Sequence, residues 1–392
     1  MKIPDRLLFQ GGNLLYWLSL YFYVPILAVY AQSMGASLTV VGVMLSAYGV
    51  MQLLCRIPTG VASDVAGRRK PFVLAGLALA ALGAAGFLVA PAPWALVGAR
   101  AVTGLAACAW VVITVMYAGY YPPAQAASAI GAMGLTNGLG QVIATWSGGL
   151  VAQRFGWPAP FALSLAAGVA GLGLMALCRE PTPSHRAAAP LSWRRLWLVG
   201  TSPALLLVST LSALNTYATF TTIYGFIPVY ASSLGATRAD LGLLTALSLV
   251  PFTLTQPLIA AVVRRAGFPA AVSAGLALSG AMTVAVPLTQ TFLALTMTQV
   301  IGGVGRGLLS AALMSLAILS VEPRERATAM GVYQAVYAIG MFLGPLAGGM
   351  IGEHAGLPAV FLSTGSVSLA AALAALVALR PVAQGSRLKS PA

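Results

Sequence analysis

Long apolar runs, separated by short charged or glycine- and proline-rich breaks, are the feature that most constrains how this chain can fold. Of its 392 residues 59% are hydrophobic and only 7% are charged. A soluble domain carries roughly a quarter charged residues, whereas about 20 consecutive apolar residues can cross a bilayer as one helix. The sequence therefore predicts an all-α membrane protein, because a helix satisfies its backbone hydrogen bonds within its own segment.

Glycine, proline and charged residues mark the ends of twelve predicted transmembrane helices. These lie near residues 7–31, 38–62, 71–91, 93–119, 127–153, 159–178, 203–231, 239–263, 269–289, 292–320, 328–352 and 358–380. The first run is too long for the apolar part of a signal peptide, so we expect it to be retained. The polar segment Arg179–Arg195 divides the chain into two six-helix bundles, 1–178 and 203–392, joined by a cytoplasmic linker over 179–202.

The positions of lysine and arginine predict the orientation. With the N-terminus inside, sixteen of the 21 basic residues fall in cytoplasmic segments, and only Arg154 and Arg238 fall on the opposite side. This bias is typical of a multi-pass protein of the cytoplasmic (inner) membrane with both termini in the cytoplasm. The net charge of +14 is explained by these loops rather than by a nucleic-acid-binding surface.

The two halves of the sequence repeat each other. The segment Tyr30-Ala-Gln-Ser-Met-Gly35-Ala36 matches Tyr230-Ala-Ser-Ser-Leu-Gly235-Ala236 at a shift of 200 residues. The same shift matches seven further residues to identical ones 200 positions later, namely Gly140, Gly148, Gly149, Gly156, Pro158, Ala159 and Phe161. Two parallel repeats of six helices predict a pseudo-twofold arrangement, which transporters use for alternating access to a site between the repeats.

The loop after the second helix carries a motif, Gly60-Val-Ala-Ser-Asp64-Val-Ala-Gly67-Arg68-Arg69-Lys70. It resembles the loop 2–3 signature of the major facilitator superfamily, apart from Val65, where that family usually has a basic residue. The resemblance implies a conformational switch formed by Gly60, Asp64, Gly67, Arg68 and Arg69. The glycines permit a tight turn, and Asp64 can face positive helix N-termini between the halves.

Two arginines inside spans are candidate solute contacts. Arg100-Ala-Val-Thr-Gly104 resembles an Arg-x-x-x-Gly element of the fourth helix in the same superfamily, and its repeat partner is Gln299-Val-Ile-Gly-Gly303. Arg306 lies near the middle of the tenth helix, where an unpaired charge is costly. Since no Asp or Glu falls in the interior of a predicted span, we expect Arg306 to meet water, carbonyls, hydroxyls or an anionic ligand.

Further polar residues in the spans are candidates either for the substrate cavity or for bridges between helices. They are Gln299, Asn13, Tyr16, Asn137, Gln141, Asn215, Tyr217 and Tyr337. A second glycine-rich segment, in the eleventh helix, contains Gly340, Gly344, Pro345, Gly348 and Gly349. It resembles an element that antiporters of the superfamily carry in the fifth helix, and it also suits close helix packing.

These patterns predict a secondary transporter that moves a small organic solute, anionic or neutral and amphiphilic, by alternating access. Export by antiport is the favoured direction, with protons as the coupling ion, and uptake or exchange of organic anions is the alternative. A non-transporting sensor or a membrane enzyme is the remote alternative, because the sequence has no catalytic or metal-ligand constellation. We expect no cofactor, no metal, no nucleic acid and a monomer within the lipid bilayer.

Overall fold

The computed structural model describes residues 4–122, 125–181, 198–321 and 325–380. Every regular element in these ranges is helical. Most of the linker predicted over 179–202, and the C-terminal tail after residue 380, lie outside the described residues.

The first six transmembrane helices follow the order of the sequence. Their bounds are α1 (Asp5–Ser33), α2 (Leu38–Ala66), α3 (Lys70–Leu88), α4 (Pro93–Ala118), α5 (Ala126–Phe155) and α6 (Pro158–Leu177). Helix α1 is interrupted after Tyr21 and resumes at Val24. Helix α5 is long enough to cross a membrane, although its Asn, Gln, Thr and Gly residues make it less apolar than the others.

Six further helices make up the second half of the described chain. They are α7 (Pro203–Ser233), α8 (238–266), α9 (268–288), α10 (Phe292–Leu319), α11 (326–355) and α12 (357–378). Helix α7 contains a π-helical turn, Thr222–Phe226. The number of spans in the described chain is therefore twelve, as the sequence predicted.

Three of the corners between helices share one local rule, a glycine followed two residues later by proline. Gly156, Gly267 and Gly356 have φ angles of 87°, 79° and 82°. A residue with a Cβ rarely adopts this conformation, and the proline that follows suits the first turn of the next helix. The helix continues on either side of Gly267 and Gly356 with little or no loop, and the glycine alone separates α8 from α9 and α11 from α12.

The turn that follows α1 is repeated after α7, as the sequence repeat predicts. Gly35 and Gly235 both have a positive φ, of 88° and 83°. Ser37 immediately precedes α2, and its hydroxyl accepts from the Val40 N–H. Thr237 immediately precedes α8 and exchanges hydrogen bonds with Asp240. Side-chain caps of this kind satisfy the free N–H groups of a first helical turn.

Two compact units are present. The first comprises Met1–Ala187 together with Gly235–Ala246, and the second comprises Ala188–Leu234 and Leu247–Ala392. The first turns of α8 thus belong to the first unit, whereas a division of the chain at the linker would place all of α8 in the second. The division of the chain at 178 and 203 stays a prediction.

Candidate functional site

Close backbone contacts fix the helix that carries Arg306. A Cβ at Gly303 would lie 2.5 Å from the Ser248 carbonyl oxygen in α8, and a Cβ at Gly305 would lie 2.8 Å from the Gly275 carbonyl oxygen in α9. Neither contact leaves room for a side chain, so α10 packs directly on the backbones of two neighbours. On a third side, a Cβ at Gly302 would lie 2.9 Å from Arg306 Nη1, so this glycine leaves the space that the guanidinium occupies.

Arg306 is buried in the second unit, with 4% of its surface exposed. Its Nη2 donates to Ser248 Oγ at 2.9 Å and to the main-chain oxygen of Gln299 at 3.0 Å. The side chain reaches back by two turns, as expected for a helix whose Cβ atoms tilt towards its N-terminus. The buried Nε has no hydrogen-bond partner among the described residues. The guanidinium is therefore held at one end by neutral acceptors, and no described carboxylate forms an ion pair with it.

Gln299 lies on the same stretch of α10 and is also buried. Its Nε2 donates to Thr298 Oγ1 at 3.0 Å, and its Oε1 has no partner in the described part of the chain. Tyr224, in the π-helical turn of α7, lies within electrostatic range of Arg306. π-helical turns often occur at functional sites because they rotate side chains out of the regular helical register.

Arg100 of the first unit is equally buried, with 3% exposed, but its surroundings are aromatic. Its guanidinium carbon lies 4.3 Å from the centre of the Tyr48 ring and 5.9 Å from that of Tyr23. Its Nη1 is 3.5 Å from the Tyr23 hydroxyl oxygen, and its Nε has no partner among the residues described. A cation over the face of an aromatic ring is attracted by the ring quadrupole.

The sequence repeat between the fourth and tenth helices is also a repeat of contacts. A Cβ at Gly104 would lie 2.6 Å from the Tyr48 carbonyl oxygen, just as one at Gly303 would lie 2.5 Å from that of Ser248. Arg100 and Gln299 therefore occupy corresponding positions, whereas Arg306 has Ala107 as its counterpart. Each unit places one guanidinium near this helix contact, but from a different position of the helix.

Two predicted cavity residues of α1 serve as bridges between helices. Asn13 Nδ2 donates to Asn137 Oδ1 at 2.8 Å, which joins α1 to α5. The Tyr16 hydroxyl donates to the Ala106 carbonyl oxygen at 2.9 Å, which joins α1 to α4. Both α1 side chains are fully buried, so these contacts favour the bridging alternative for Tyr16 and for the amide pair.

The other predicted cavity residues lie in different surroundings. Gln141 is half-buried on α5, and Asn215 is buried on α7. Tyr217 is half-buried, with its backbone against Gly340 and Gly344. The ring of Tyr337 packs edge-on against Tyr333 at 5.7 Å. Within the second unit, the structure therefore groups Arg306 with Gln299.

Arg56 of α2 is a third buried arginine in the described chain. It is 5% exposed, and its Nη1 donates to Gln52 Oε1 at 2.6 Å, one turn earlier on α2. The nearby glutamine supplies an acceptor within the helix, so the guanidinium stays buried.

The loop 2–3 motif forms a compact turn at the end of α2. Gly67 ends the helix with φ 63°, and its N–H donates to the Asp64 carbonyl oxygen. Asp64, 73% exposed, pairs with Arg69 at 3.6 Å. The Arg69 N–H also donates to the Glu180 carboxylate just after α6, and Lys70 Nζ donates to the Ala176 carbonyl oxygen at 2.7 Å. Glu180, which the motif does not include, thus ties this loop to α6, whereas Arg68 is exposed and Gly60 has ordinary contact distances.

The glycine-rich segment of α11 packs on α7. A Cβ at Gly344 would lie 2.5 Å from the Tyr217 carbonyl oxygen, and one at Gly348 would lie 2.7 Å from the Phe226 ring. Gly340 contacts the Ala213 carbonyl oxygen in the same way. Pro345 is accommodated inside the helix. This geometry supports the helix-packing role predicted for Gly340, Gly344 and Gly348, and the role of Gly349 stays a prediction.

Several contacts around the candidate site were not anticipated from the sequence. Ser248 contacts Arg306, and Tyr48, its counterpart in the sequence repeat, contacts Arg100. Tyr23, which also contacts Arg100, lies in the break of α1. No local pattern distinguishes them, since each partner lies more than 50 residues from its arginine. In the described part of the chain, no three His, Cys, Asp or Glu side chains lie close enough together to hold a metal ion.

The fold and these motifs agree with a comparison to known families. A sequence profile of the Major Facilitator Superfamily matches residues 11–225 and 209–392, and the chain belongs to this superfamily of membrane transporters.

Individual relatives are distant. The chain is 23% identical over 346 residues to an uncharacterised MFS-type transporter of Methanocaldococcus jannaschii, covering 86% of this chain and 88% of that protein. It is 34% identical over 146 residues to the class C tetracycline resistance protein of Escherichia coli, which is 37% of this chain and 36% of that protein. The solved structure of the nucleoside transporter NupG is similar in fold, with a TM-score of 0.78 at 15% identity over 96% of this chain and 100% of that one.

Proposed function

We propose that this transporter moves a small organic solute, anionic or neutral and amphiphilic, by alternating access, and that Arg306 is its main contact with negative charge. The supporting observation is a buried guanidinium whose hydrogen bonds leave one buried N–H without a partner among the described residues. A buried donor without an acceptor is costly, and a ligand oxygen would remove that cost with a charge-assisted hydrogen bond.

The distribution of acidic residues supports the same class of solute. No Asp or Glu in the described chain is fully buried, and those present lie at helix ends or in turns. A cationic solute would need such a carboxylate to offset the loss of hydration of its charge. The surroundings of Arg100 support an amphiphilic solute, because a guanidinium flanked by two tyrosines offers a flat and partly polar surface.

For the direction of transport we propose export by antiport with protons. The match to a tetracycline resistance protein supports export, because removing a compound from the cell is a direct route to resistance. The glycine-rich segment of α11 supports antiport only by its resemblance to the element that antiporters of the superfamily carry in the fifth helix. Uptake or exchange of organic anions is the alternative, which Arg306 supports equally well. Without a buried carboxylate, we assign proton coupling to Asp64, to an arginine-linked relay or to the solute's own ionisable group.

A panel of matched compounds in proteoliposomes tests the class of solute. Each set contains a carboxylic acid, its primary amide and the corresponding amine on one carbon skeleton. We expect competition for transport by acids and amides, and weaker competition by the amines. The class would be wrong if amines competed best. A pH gradient applied in either direction then separates the two modes, because proton antiport accumulates solute in vesicles that are acidic inside, whereas proton-coupled uptake accumulates it in vesicles that are acidic outside.

We further propose that the protein resides in the cytoplasmic membrane with both termini inside, on the strength of the bias in basic residues. Single cysteines at position 189, in the linker, and at Ser233, near the end of α7, provide a matched pair for labelling. Among the native cysteines, Cys178 is fully buried at the end of α6, so an impermeant maleimide does not reach its thiol. In a background with Cys55 and Cys108 replaced, an impermeant maleimide added to intact cells should label only residue 233. Labelling of residue 189 instead would reverse the orientation.

A further inference from the structure

Four aromatic rings of the first unit meet around Trp17. The ring of Trp17 lies 5.4 Å from that of Trp110 and 5.6 Å from those of Tyr16 and Tyr21. Edge-to-face and tilted contacts at these separations are favourable for aromatic pairs. We call these four residues, from α1 and α4, the indole cluster.

The indole N–H at the centre of the cluster has no acceptor among the described residues. Trp17 Nε1 is buried, and the described residues provide no hydrogen-bond partner for it. Buried tryptophan N–H groups usually find a partner, and each exception calls for an explanation. By contrast, Tyr16, in the same cluster, uses its hydroxyl to bond the Ala106 carbonyl oxygen.

The packing of α1 leaves Trp17 on the side of α4 and α5. A Cβ at Gly12 would lie 2.6 Å from the side chain of Met175, so that face of α1 is covered by α6. On another face, Trp17 meets Trp110 of α4, and a Cβ at Gly140 of α5 would lie 3.4 Å from the Trp17 Cβ. Trp17, Trp110 and Tyr21 are nonetheless only half-buried. Part of each ring is therefore uncovered, next to a donor that lacks an acceptor.

The second unit lacks an equivalent of this cluster at the corresponding positions. The sequence repeat pairs Trp17 with Tyr217, Tyr21 with Thr221 and Trp110 with Leu309. Because the same fold is built there without indoles, the helix packing common to both halves does not require them.

We propose that the indole cluster is an aromatic subsite that takes the planar ring system of the transported solute, and that Trp17 Nε1 donates to an acceptor atom on that ring system. The proposal rests on the proposed transport of an organic solute and makes it more specific, since it names aromatic compounds with an oxygen or nitrogen acceptor. It concerns residues of the first unit alone, and it is independent of the role given to Arg306.

Equilibrium binding to the full chain in detergent tests this subsite with probes of one shape. The probes are 2-naphthoate, its saturated analogue decalin-2-carboxylate, the neutral 2-naphthamide, and 6-methoxy-2-naphthoate, whose ether oxygen can only accept. Aromatic pairs contribute up to a factor of about ten beyond the burial of area. We expect 2-naphthoate to bind about three- to tenfold more tightly than decalin-2-carboxylate, and the methoxy probe more tightly than either.

Two substitutions separate the ring from its N–H. Trp17→Phe should remove the advantage of the methoxy probe and retain most of the preference for naphthoate over decalin-2-carboxylate. Trp17→Leu should abolish that preference as well. Trp94→Phe is the matched control, since Trp94 is 62% exposed on α4 outside the cluster, and it should change neither ratio.

Equal binding of naphthoate and decalin-2-carboxylate would overturn the aromatic subsite, as would the absence of saturable binding by all the naphthyl probes. An equal loss of affinity for 2-naphthoate and decalin-2-carboxylate in Trp17→Leu would also overturn it, because such a loss would indicate a general loss of folding. The proposed role of Arg306 fails in a different way, when 2-naphthoate and 2-naphthamide respond identically to Arg306→Gln while the preference for aromatic rings persists.

Discussion

Arg100 of α4 and Arg306 of α10 show how the halves of one repeat diverge around the same helix contact. In both units a glycine brings the helix against a neighbouring backbone, through Gly104 on Tyr48 and through Gly303 on Ser248. Near that contact Arg100 lies against aromatic rings, whereas Arg306 donates to a hydroxyl and a main-chain carbonyl. The framework is repeated and the chemistry is not, which points to the side chains around each guanidinium as the place where solute selectivity resides.

The largest expected effect comes from filling the shared contact. Gly104→Val and Gly303→Val each place a side chain against a carbonyl oxygen that a Cβ alone would approach within 2.6 Å or less. The helices must separate, and overpacking of this kind costs roughly 1–3 kcal/mol or more. We expect both variants to lose most of their folded, monodisperse protein in size-exclusion chromatography.

Gly98→Val in α4 and Gly331→Val in α11 are the matched controls, since a Cβ at either position meets nothing within 4 Å. They should yield nearly as much folded protein as the parent chain. If only one of Gly104→Val and Gly303→Val failed to fold, the two helix contacts would not be equivalent.

Removing Arg306 should produce the next largest effect, on affinity rather than on folding. A hydrogen bond to a charged group contributes roughly 1.5–3 kcal/mol, so Arg306→Gln should weaken the binding of organic acids by about one to two decades. Arg306→Lys should restore only part of this, because lysine keeps the charge without the planar fork.

Melting temperature and transport, measured on the same Arg306 variants, separate binding from a structural role. If Arg306 only joins helices through Ser248 and Gln299, Arg306→Gln will melt at a lower temperature while the remaining folded protein transports normally. Arg56→Gln is the control for removing a buried arginine, and it should leave acid affinity unchanged.

Sequence patterns predicted the framework of this protein better than its contacts. The twelve spans follow from apolar runs, and the corners at Gly156 and Gly356 follow from a repeated glycine-proline pattern, since both signals are local. The sequence also singles out Arg100, Arg306 and Gln299. It does not identify Ser248 and Tyr48 as contacts of the arginines, nor the separate cluster around Trp17, because contacts between distant helices depend on helix rotation, which is set by packing.

Irregular helix geometry was also beyond local prediction. The π-helical turn at Thr222–Phe226 and the break in α1 after Tyr21 lie within runs that read as uninterrupted spans. Tyr16 was predicted as a residue of the cavity or of a helix bridge, and its hydroxyl bonds the backbone of α4. A polar residue in a span can satisfy a helix bridge or a solute equally well, and only the contact distinguishes them.

Replacing Arg100 should have a smaller effect on affinity than replacing Arg306. Its charge already faces two tyrosine rings, and a cation–π contact contributes roughly 0.5–2 kcal/mol when it is desolvated. We expect Tyr48→Leu to lower the melting temperature more than Tyr48→Phe, and Arg100→Gln to weaken acid binding only a few-fold. A loss of acid affinity as large as that of Arg306→Gln would mean that the two arginines are functionally equivalent.

The smallest expected change in stability concerns the loops at the ends of α2 and α8, where the halves differ again. Gly67 and Gly267 both have a positive φ, but only the first loop pairs an acid, Asp64, with a base, Arg69. The pair is exposed and contributes about 0–1 kcal/mol, so Asp64→Asn should hardly change the melting temperature. We instead expect turnover to fall several-fold with solute affinity near that of the parent, because Asp64 is exposed in the last turn of α2 and the loop 2–3 motif implies a role in switching. Glu353→Gln, an exposed acid near the end of α11, is the control and should leave turnover unchanged. Initial rates of transport at saturating solute, together with equilibrium binding, measure the two quantities separately. A large loss of affinity with normal turnover would place Asp64 in solute recognition and would end the distinction between a switching loop and a binding arginine.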